Sequence, residues 1–361
     1  EIKIKLTSLN EVSSKYELYY ILDKTNDKVS VGYSKDTKDS VLGTVEANKS
    51  KMITIVIRND SDTSSKVTFK VLGGLLNNNL ALKDGNSLNQ EVSIYRVLSK
   101  AILEDNKLIT ATPTLTTSSN NTSDESGLYS STATNTGNQT YYFRGNVENN
   151  YVSFAGFTWR IVRINEDGTV RLIMQDGINN NTNYQFNSNC NNYTYMYYSN
   201  SEVKPILENW YQENIERKSN LAGKTVSGNY YCEQAKVKDY SDFTDGNANM
   251  AISSNYISSF KCSADGNNKG IVNGNIGLIN YDELIYAGVK SGVSYLYNLS
   301  IPWWTMSPAG VSTSNCAVAW DAQTGLGSSG VYNKFTLRPV INLKTDVVVS
   351  GNGKSSNPYQ L

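Results

Sequence analysis

The sequence predicts a mainly β protein, an N-terminal β-sandwich followed by an α+β second half. Three observations carry that reading: strict apolar–polar alternation early in the chain, capped stretches of helical spacing later, and polar turn clusters between the runs. In the first region Ile2, Ile4 and Leu6 alternate with Lys3 and Lys5, while Ile53, Ile55 and Ile57 fall on one face. Val67, Phe69 and Val71 alternate with Thr68 and Lys70. Such period-two runs mark half-buried strands, because successive strand side chains point to opposite faces. Further strands are expected at 16–22 and 29–33, with turns at 23–27, 35–40 and 59–65. Six or seven short strands with polar turns make residues 1–86 an immunoglobulin-like sandwich.

A helix is expected to open at Ser87, where Gln90 completes a Ser-x-x-Gln capping box. Leu88, Val92, Tyr95, Leu98 and Ile102 follow at helical spacing, to a stop at Asn106. Ser, Thr, Asn and Gly then dominate from Thr110 to Thr140, so residues 87–140 read as a capped helix and linker. Beyond Tyr141, two runs at 159–164 and 169–174 form a hairpin across Glu166-Asp167-Gly168. Ser201 caps a helix whose apolar face is Val203, Ile206, Leu207, Trp210 and Tyr211. Pro205 is tolerated there because first-turn N–H groups have no helical acceptor. Asn280 with Glu283 caps a second helix running through Leu284, Ile285 and Ala287 to Gly288. Two helices against irregular strands make residues 141–361 α+β.

Composition then removes whole classes of chemistry. The 361 residues include no histidine, which excludes Ser-His-Asp and Cys-His nucleophiles, His-ligated zinc and His proton shuttles. A zinc site would need all four cysteines, and none of them forms a C-x-x-C pair, so no metal and no cofactor is expected. The 33 basic and 33 acidic side chains leave no basic footprint for nucleic acid. Apolar runs such as Ile53–Ile57 fall far short of the about 20 residues that span a bilayer. The chain begins at Glu1, so any leader or anchor is expected to have been removed. Its 45 Asn and 25 Tyr, with only 18% charged residues, fit an A+T-rich genome as well as an exported, carbohydrate-facing surface. In an exported protein four cysteines favour disulfides. Cys232 with Cys262 is the expected pair, and Cys190 with Cys316 the second; four reduced core thiols are the alternative.

Four segments of the second half, in order, carry a resemblance. They are FTWRIVRINEDGTVRLIM at 157–174, YYSNSEVKPILENWY at 197–211, GLINYDELIYAG at 277–288, and PWWTMSPAG at 302–310 with AVAWD at 317–321 and TLRPVINL at 336–343. This set resembles an uncharacterised domain of surface and secreted proteins of gut Firmicutes, similar to the C-type-lectin-like fold shared with formylglycine-generating enzymes. The resemblance covers residues 141–361. It implies a compact fold with its two ends in one sheet, and a long loop region supporting a ligand surface. The calcium-site Glu-Pro-Asn, Gln-Pro-Asp and Trp-Asn-Asp signatures are absent, as is any match to the catalytic cysteine pair. The fold carries over and a function does not.

Trp303, Trp304 and Trp320 are the first sugar-stacking candidates, but neighbouring strand positions face opposite sides, so at least one ring of Trp303-Trp304 belongs to the core. The polar stretch 312–334 is the stronger candidate surface, since it has the residue types that paratopes use. Its candidate ligand-binding residues are Ser312, Thr313, Asn315, Trp320, Asp321, Gln323, Thr324, Tyr332 and Asn333. The Asp265 tract brushes an EF-hand loop, but Lys269 and Ile276 occupy positions that need oxygen ligands. No catalytic residue is assigned. The expectation is a non-catalytic extracellular or cell-surface protein of a Gram-positive bacterium, binding a host or bacterial glycan or protein through loops of the second half. The alternatives are a structural subunit of a filament or biofilm matrix, with strand 2–6 donated between copies, and a carboxylate-based hydrolase.

Overall fold

A computed structural model describes residues 2–7, 14–22, 29–33, 40–59, 64–76, 82–115, 124–190, 193–233, 258–262, 270–289, 294–297, 302–312, 315–319 and 328–361. Over most of the strands up to residue 94, at 193–194 and Asn229, and over 309–312, 315–319 and 328 it describes the backbone alone. The chain divides into two compact units, residues 1–96 with 348–350, and residues 97–347 with 351–361. Strand dominates both, and nearly all strand pairs are antiparallel.

The first unit holds β1 (Ile2–Thr7), β2 (Ser14–Leu22), β3 (Val29–Tyr33), β4 (Ser40–Val45), β5 (Ser50–Asn59), β6 (Ser65–Leu76) and β7 (Leu82–Ile94). They form a three-stranded sheet, β1-β5-β3, and a four-stranded one, β4-β2-β6-β7. Every alternating run read from the sequence is a strand here. The helix expected at Ser87 is not. Residues 87–94 continue β7, with Leu88 opposite Val71, Gln90 opposite Phe69 and Val92 opposite Val67. Leu88 and Val92 are four apart, a spacing that satisfies a two-residue period as well as a helical one, and pairing with β6 decides for the strand. The helix itself is only Leu98–Asp105, in the second unit, and Val97 at its start makes no side-chain cap.

In the second unit the stretch expected as linker contains β8 (Gly127–Ser131), which pairs along its length with β9 (Thr140–Arg144). The hairpin is as the sequence predicts: β11 (Phe157–Ile164) and β12 (Val170–Met174) pair antiparallel, and Gly168 takes the left-handed φ of +85° that closes the turn. Ahead of it, β10 (Tyr151–Phe154) meets β11 through a two-residue turn, Ala155-Gly156. Further strands are β13 (Asn183–Gln185), β14 (Gly228–Cys232), β15 (Ile271–Gly274), β16 (Ile276–Gly277), β17 (Pro308–Ser312), β18 (Asn315–Ala319), β19 (Ser328–Gly330), β20 (Lys334–Thr336), β21 (Val340–Leu343) and β22 (Tyr359–Gln360).

The central sheet runs β16-β21-β12-β11-β10-β22, with β9 on the far half of β11 and β8 beside β9. Early strands β8 to β10 and the final strand β22 thus share one sheet, and the Tyr359 hydroxyl donates 2.8 Å to Asp105. Every residue of β12 and β21 is buried, so both faces of these strands are covered. On one side lies the helix Val203–Tyr211, burying Val203, Leu207, Trp210 and Tyr211 while Ile206 is half-buried. The Ser201 hydroxyl accepts from the Lys204 amide, 3.2 Å, as expected of a cap. The helix Tyr281–Tyr286 starts with the full capping box: Asn280 accepts from the Glu283 amide, and Glu283 accepts from the Asn280 amide.

Glu283 does more than cap. It is buried, with Arg171 Nε 2.6 Å and Arg163 Nε 3.4 Å from its Oε1, and Arg171 Nη2 donates 3.1 Å to its Oε2. Removing one partner of a buried ion pair costs about 3–5 kcal/mol. Glu283→Gln is therefore expected to lower unfolding free energy by about that amount, read as a shifted urea midpoint. A loss within the scatter of ordinary surface variants would show that the carboxylate charge is dispensable.

Candidate functional site

The turn end of the β11–β12 hairpin opens into a cleft of about 400 Å³. Its floor is Arg163, Asn165 and Asn280; one wall is β14 with Tyr230 and Tyr231, and the other carries Asn135, Thr136, Asn138 and Phe260. Local structure explains the placement. A bulge at Val162 shifts the β11–β12 register, so that Arg163 lies opposite Arg171 rather than opposite Val170. The Arg163 guanidinium then rests over the Phe260 ring, 4.7 Å from its centre. Phe260 is held by its amide to the Ala133 carbonyl, and Cys262 by its amide to Asn135 Oδ1. The Cys232–Cys262 disulfide, the pair expected from the sequence, ties this wall to β14. Cys190 is also disulfide-bonded, and the side chain of Cys316, its expected partner, lies outside the described residues.

Arg163 and Asp167 are engaged internally, whereas the Glu166 carboxylate lines the cleft without a hydrogen-bond or ion-pair partner among the described residues. Burial pulls the Arg163 guanidinium below its ordinary value, and Glu283 opposes that pull. Burial also works against the Asp167 charge, but hydrogen bonds from the Thr169 and Tyr230 hydroxyls outweigh it and hold the carboxyl below the usual carboxylate range. Tyr230, by burial first and by its bond to Asp167 second, is pushed up to about 12. What remains for a ligand is the half-buried Glu166 carboxylate, the side-chain amide of Asn138, the hydroxyl of Thr136, whose oxygen also accepts from the Asn138 backbone amide, and Asn165 Oδ1. That last oxygen is buried and accepts no hydrogen bond, while Asn165 Nδ2 donates to Thr169 and Asn342. Among the described residues no group of three or more Cys, Asp or Glu side chains could hold a metal ion, and no helix is long and apolar enough to cross a membrane.

The sequence candidates lie elsewhere. Ser312 and Asn315 face each other across β17–β18, within a three-stranded sheet β17-β18-β19 where the sequence suggested loop throughout. Tyr332 and Asn333 are exposed in the turn after β19, and Asn333 Nδ2 donates 2.6 Å to the Ser329 hydroxyl. Thr313, Trp320, Asp321, Gln323 and Thr324 lie outside the described residues. Trp303 and Trp304 are both fully buried, the first under Arg338 and the second against Phe335, so neither offers a stacking face. The cleft was missed because its residues come from six separate segments. The one local signal was the Asn280–Glu283 cap. Set against known protein families and curated protein sequences, the chain matches none.

The Asp167 interactions fix a pH dependence. Its folded pKa is depressed, so their stabilisation is present above the unfolded value of about 4 and lost as pH falls through the folded value. The stability gap between the native chain and Tyr230→Phe is expected to be open at pH 7 and to narrow below pH about 4. A gap constant from pH 7 to pH 2 in thermal melts would contradict that.

Proposed function

We propose that the chain is a non-catalytic extracellular recognition protein, in which the second unit, read as a C-type-lectin-like module, binds a neutral polar ligand, a surface glycan by its chemistry. The first unit, read as an immunoglobulin-like sandwich, serves as stalk or assembly module. One observation carries this reading: a cleft whose only cation is paired with Glu283 and whose Asp167 is held by two hydroxyls, leaving amide, hydroxyl, the Glu166 carboxylate and an orphaned buried acceptor to face a ligand. An unpartnered buried acceptor costs about 1–3 kcal/mol, and a ligand hydroxyl donated to Asn165 Oδ1 relieves it. A carboxylate hydrolase needs a general acid of raised pKa lining its cleft; Asp167 is shifted the other way, and Glu233, which burial pushes up, accepts from Ser199 and does not line the cleft. The polar sheet and turn at 312–334 extend the recognition surface in this proposal.

Glycan-array screening of the full chain, followed by calorimetry on the best ligand, tests it. Asn138→Ala removes an exposed amide that forms no hydrogen bond of its own, and is expected to weaken binding at least fivefold with an unchanged melting temperature. No retained glycan, or undiminished affinity in the variant, would sink the assignment. A second reading rests on β1, which lies at an edge of its sheet and pairs only with β5 among the described strands. Such an edge can accept a strand from another copy. A sedimentation coefficient that rises with concentration would favour a filament or matrix subunit, and a constant monomeric value would exclude it.

A further inference from the structure

We infer that the second unit has a second sugar-binding site, at the opposite end of the same hairpin. The inference shares the glycan reading above but none of its residues. There, Phe157, Asp176, the run Asn179–Asn181 and Trp210 line a cavity of about 540 Å³, within the roughly 300–1,000 Å³ of small-ligand sites. The cleft described above sits at Arg163–Asp167, so at about 3.3 Å of rise per residue the two lie about 20 Å apart along β11.

Three features of this cavity suit a pyranose ring. The first is a braced aromatic. Phe157 is partly exposed and leans on buried Trp210 with ring centres 5.1 Å apart, and Trp210 in turn meets Trp159. A ring fixed this way offers an apolar face to sugar C–H groups at little cost in side-chain entropy.

The second is a strained turn of amides. Asn179, Asn180 and Asn181 all take left-handed φ, 49°, 55° and 61°. This conformation costs an ordinary L-residue about 1–2 kcal/mol, and Asn is among the few side chains that tolerate it. Local bonds hold the turn: the Gly177 amide donates 2.6 Å to Asn181 Oδ1, and the Thr182 hydroxyl 2.6 Å to the Asn179 carbonyl. Asn179 Nδ2 donates 2.8 Å to the Tyr184 hydroxyl. These bonds leave Asn179 Oδ1, Asn181 Nδ2 and the whole amide of Asn180 unused. Strained left-handed residues cluster where a protein presents groups to a ligand.

The third is Asp176, whose carboxylate accepts no hydrogen bond from any described group. A carboxylate accepts from two adjacent sugar hydroxyls, while each amide both donates and accepts, which matches hydroxyls that do the same. With one carboxylate and no cation lining the cavity, the site selects neutral sugars over anionic ones.

Saturation-transfer NMR on the full chain tests the site, with the methyl glycosides of glucose, galactose, mannose and N-acetylglucosamine as probes. Asn180→Gly keeps the left-handed turn and removes only the amide, so its melting temperature is expected to hold while affinity for the bound glycoside falls at least tenfold. Asp176→Asn leaves the turn untouched and is expected to weaken the same glycoside at least fivefold. Asn138→Ala, in the other cleft, is expected to leave that response unchanged. Binding lost in Asn138→Ala but intact in Asn180→Gly and Asp176→Asn would overturn the second site while the recognition reading stands. No binding of any of the four glycosides by the native chain would overturn the second site as stated.

Discussion

Glu283 brings one negative charge to a place where two guanidiniums meet. Arg163 and Arg171 stand directly opposite each other across β11 and β12, a like-charge pairing that destabilises a sheet when left alone. The helix Tyr281–Tyr286 resolves it by delivering Glu283 between them, while the same carboxylate caps that helix. Arg171 also donates to the Tyr230 carbonyl and lies over the Tyr231 ring, so β14 is held by the same cluster. Hairpin, helix and cleft wall are therefore positioned together. Arg163 belongs to this ion cluster and Asn280 and Tyr230 are bonded to it, which brings these three cleft residues together.

Buried guanidiniums recur around the sheet, and at Arg160 and Arg338 they have no carboxylate partner. Arg160 donates to Asn150 Oδ1 and the Val147 carbonyl, and Arg338 to the carbonyls of Met174 and Leu296. Arg144 reaches the carbonyls of Ile285, Tyr286 and Thr114, with Asp124 as counter-charge. Irregular loops leave backbone carbonyls that need donors once buried, and a guanidinium offers five in a fixed fork. Rings cover the charges from above: Tyr151 over Arg160 at 3.8 Å and Trp303 over Arg338 at 4.8 Å. Burial still pulls Arg338 down to about 9, so it stays charged at neutral pH. A loop-rich unit is thereby fixed with few helices.

What could be read from the sequence divides by range of interaction. The strands at Ile2–Thr7, Ser50–Asn59 and Ser65–Leu76, the hairpin across Gly168 and the Asn280–Glu283 cap were legible, because each is written in adjacent residues. Strand β8, Gly-Leu-Tyr-Ser-Ser, was not, because its Ser-rich composition resembles linker and only pairing with β9 makes it a strand. The turn at Ala155-Gly156 escaped because Ala at φ +58° carries no turn signal of its own. The ion cluster escaped for a different reason. Without the bulge at Val162, Arg163 would oppose Val170, and no local pattern announces a bulge. The run Asn179–Asn181 carries no signal of its handedness, which depends on bonds to Gly177, Thr182 and Tyr184.

The absence of histidine takes on a structural meaning beside the arginines. Arg160, Arg171 and Arg338 are wholly buried, and Arg163 and Arg144 nearly so. Each is engaged by carbonyls, carboxylates or rings of its own unit, so these cations hold the fold. The acids near them are similarly engaged: Glu283 by two guanidiniums, Asp124 by Arg144, Asp167 by Tyr230 and Thr169. A cleft built from such parts faces outward with amides, hydroxyls and the single Glu166 carboxylate. In the recognition proposed above, amides and hydroxyls discriminate among ligands by hydrogen-bond geometry, since each group donates or accepts in a fixed direction.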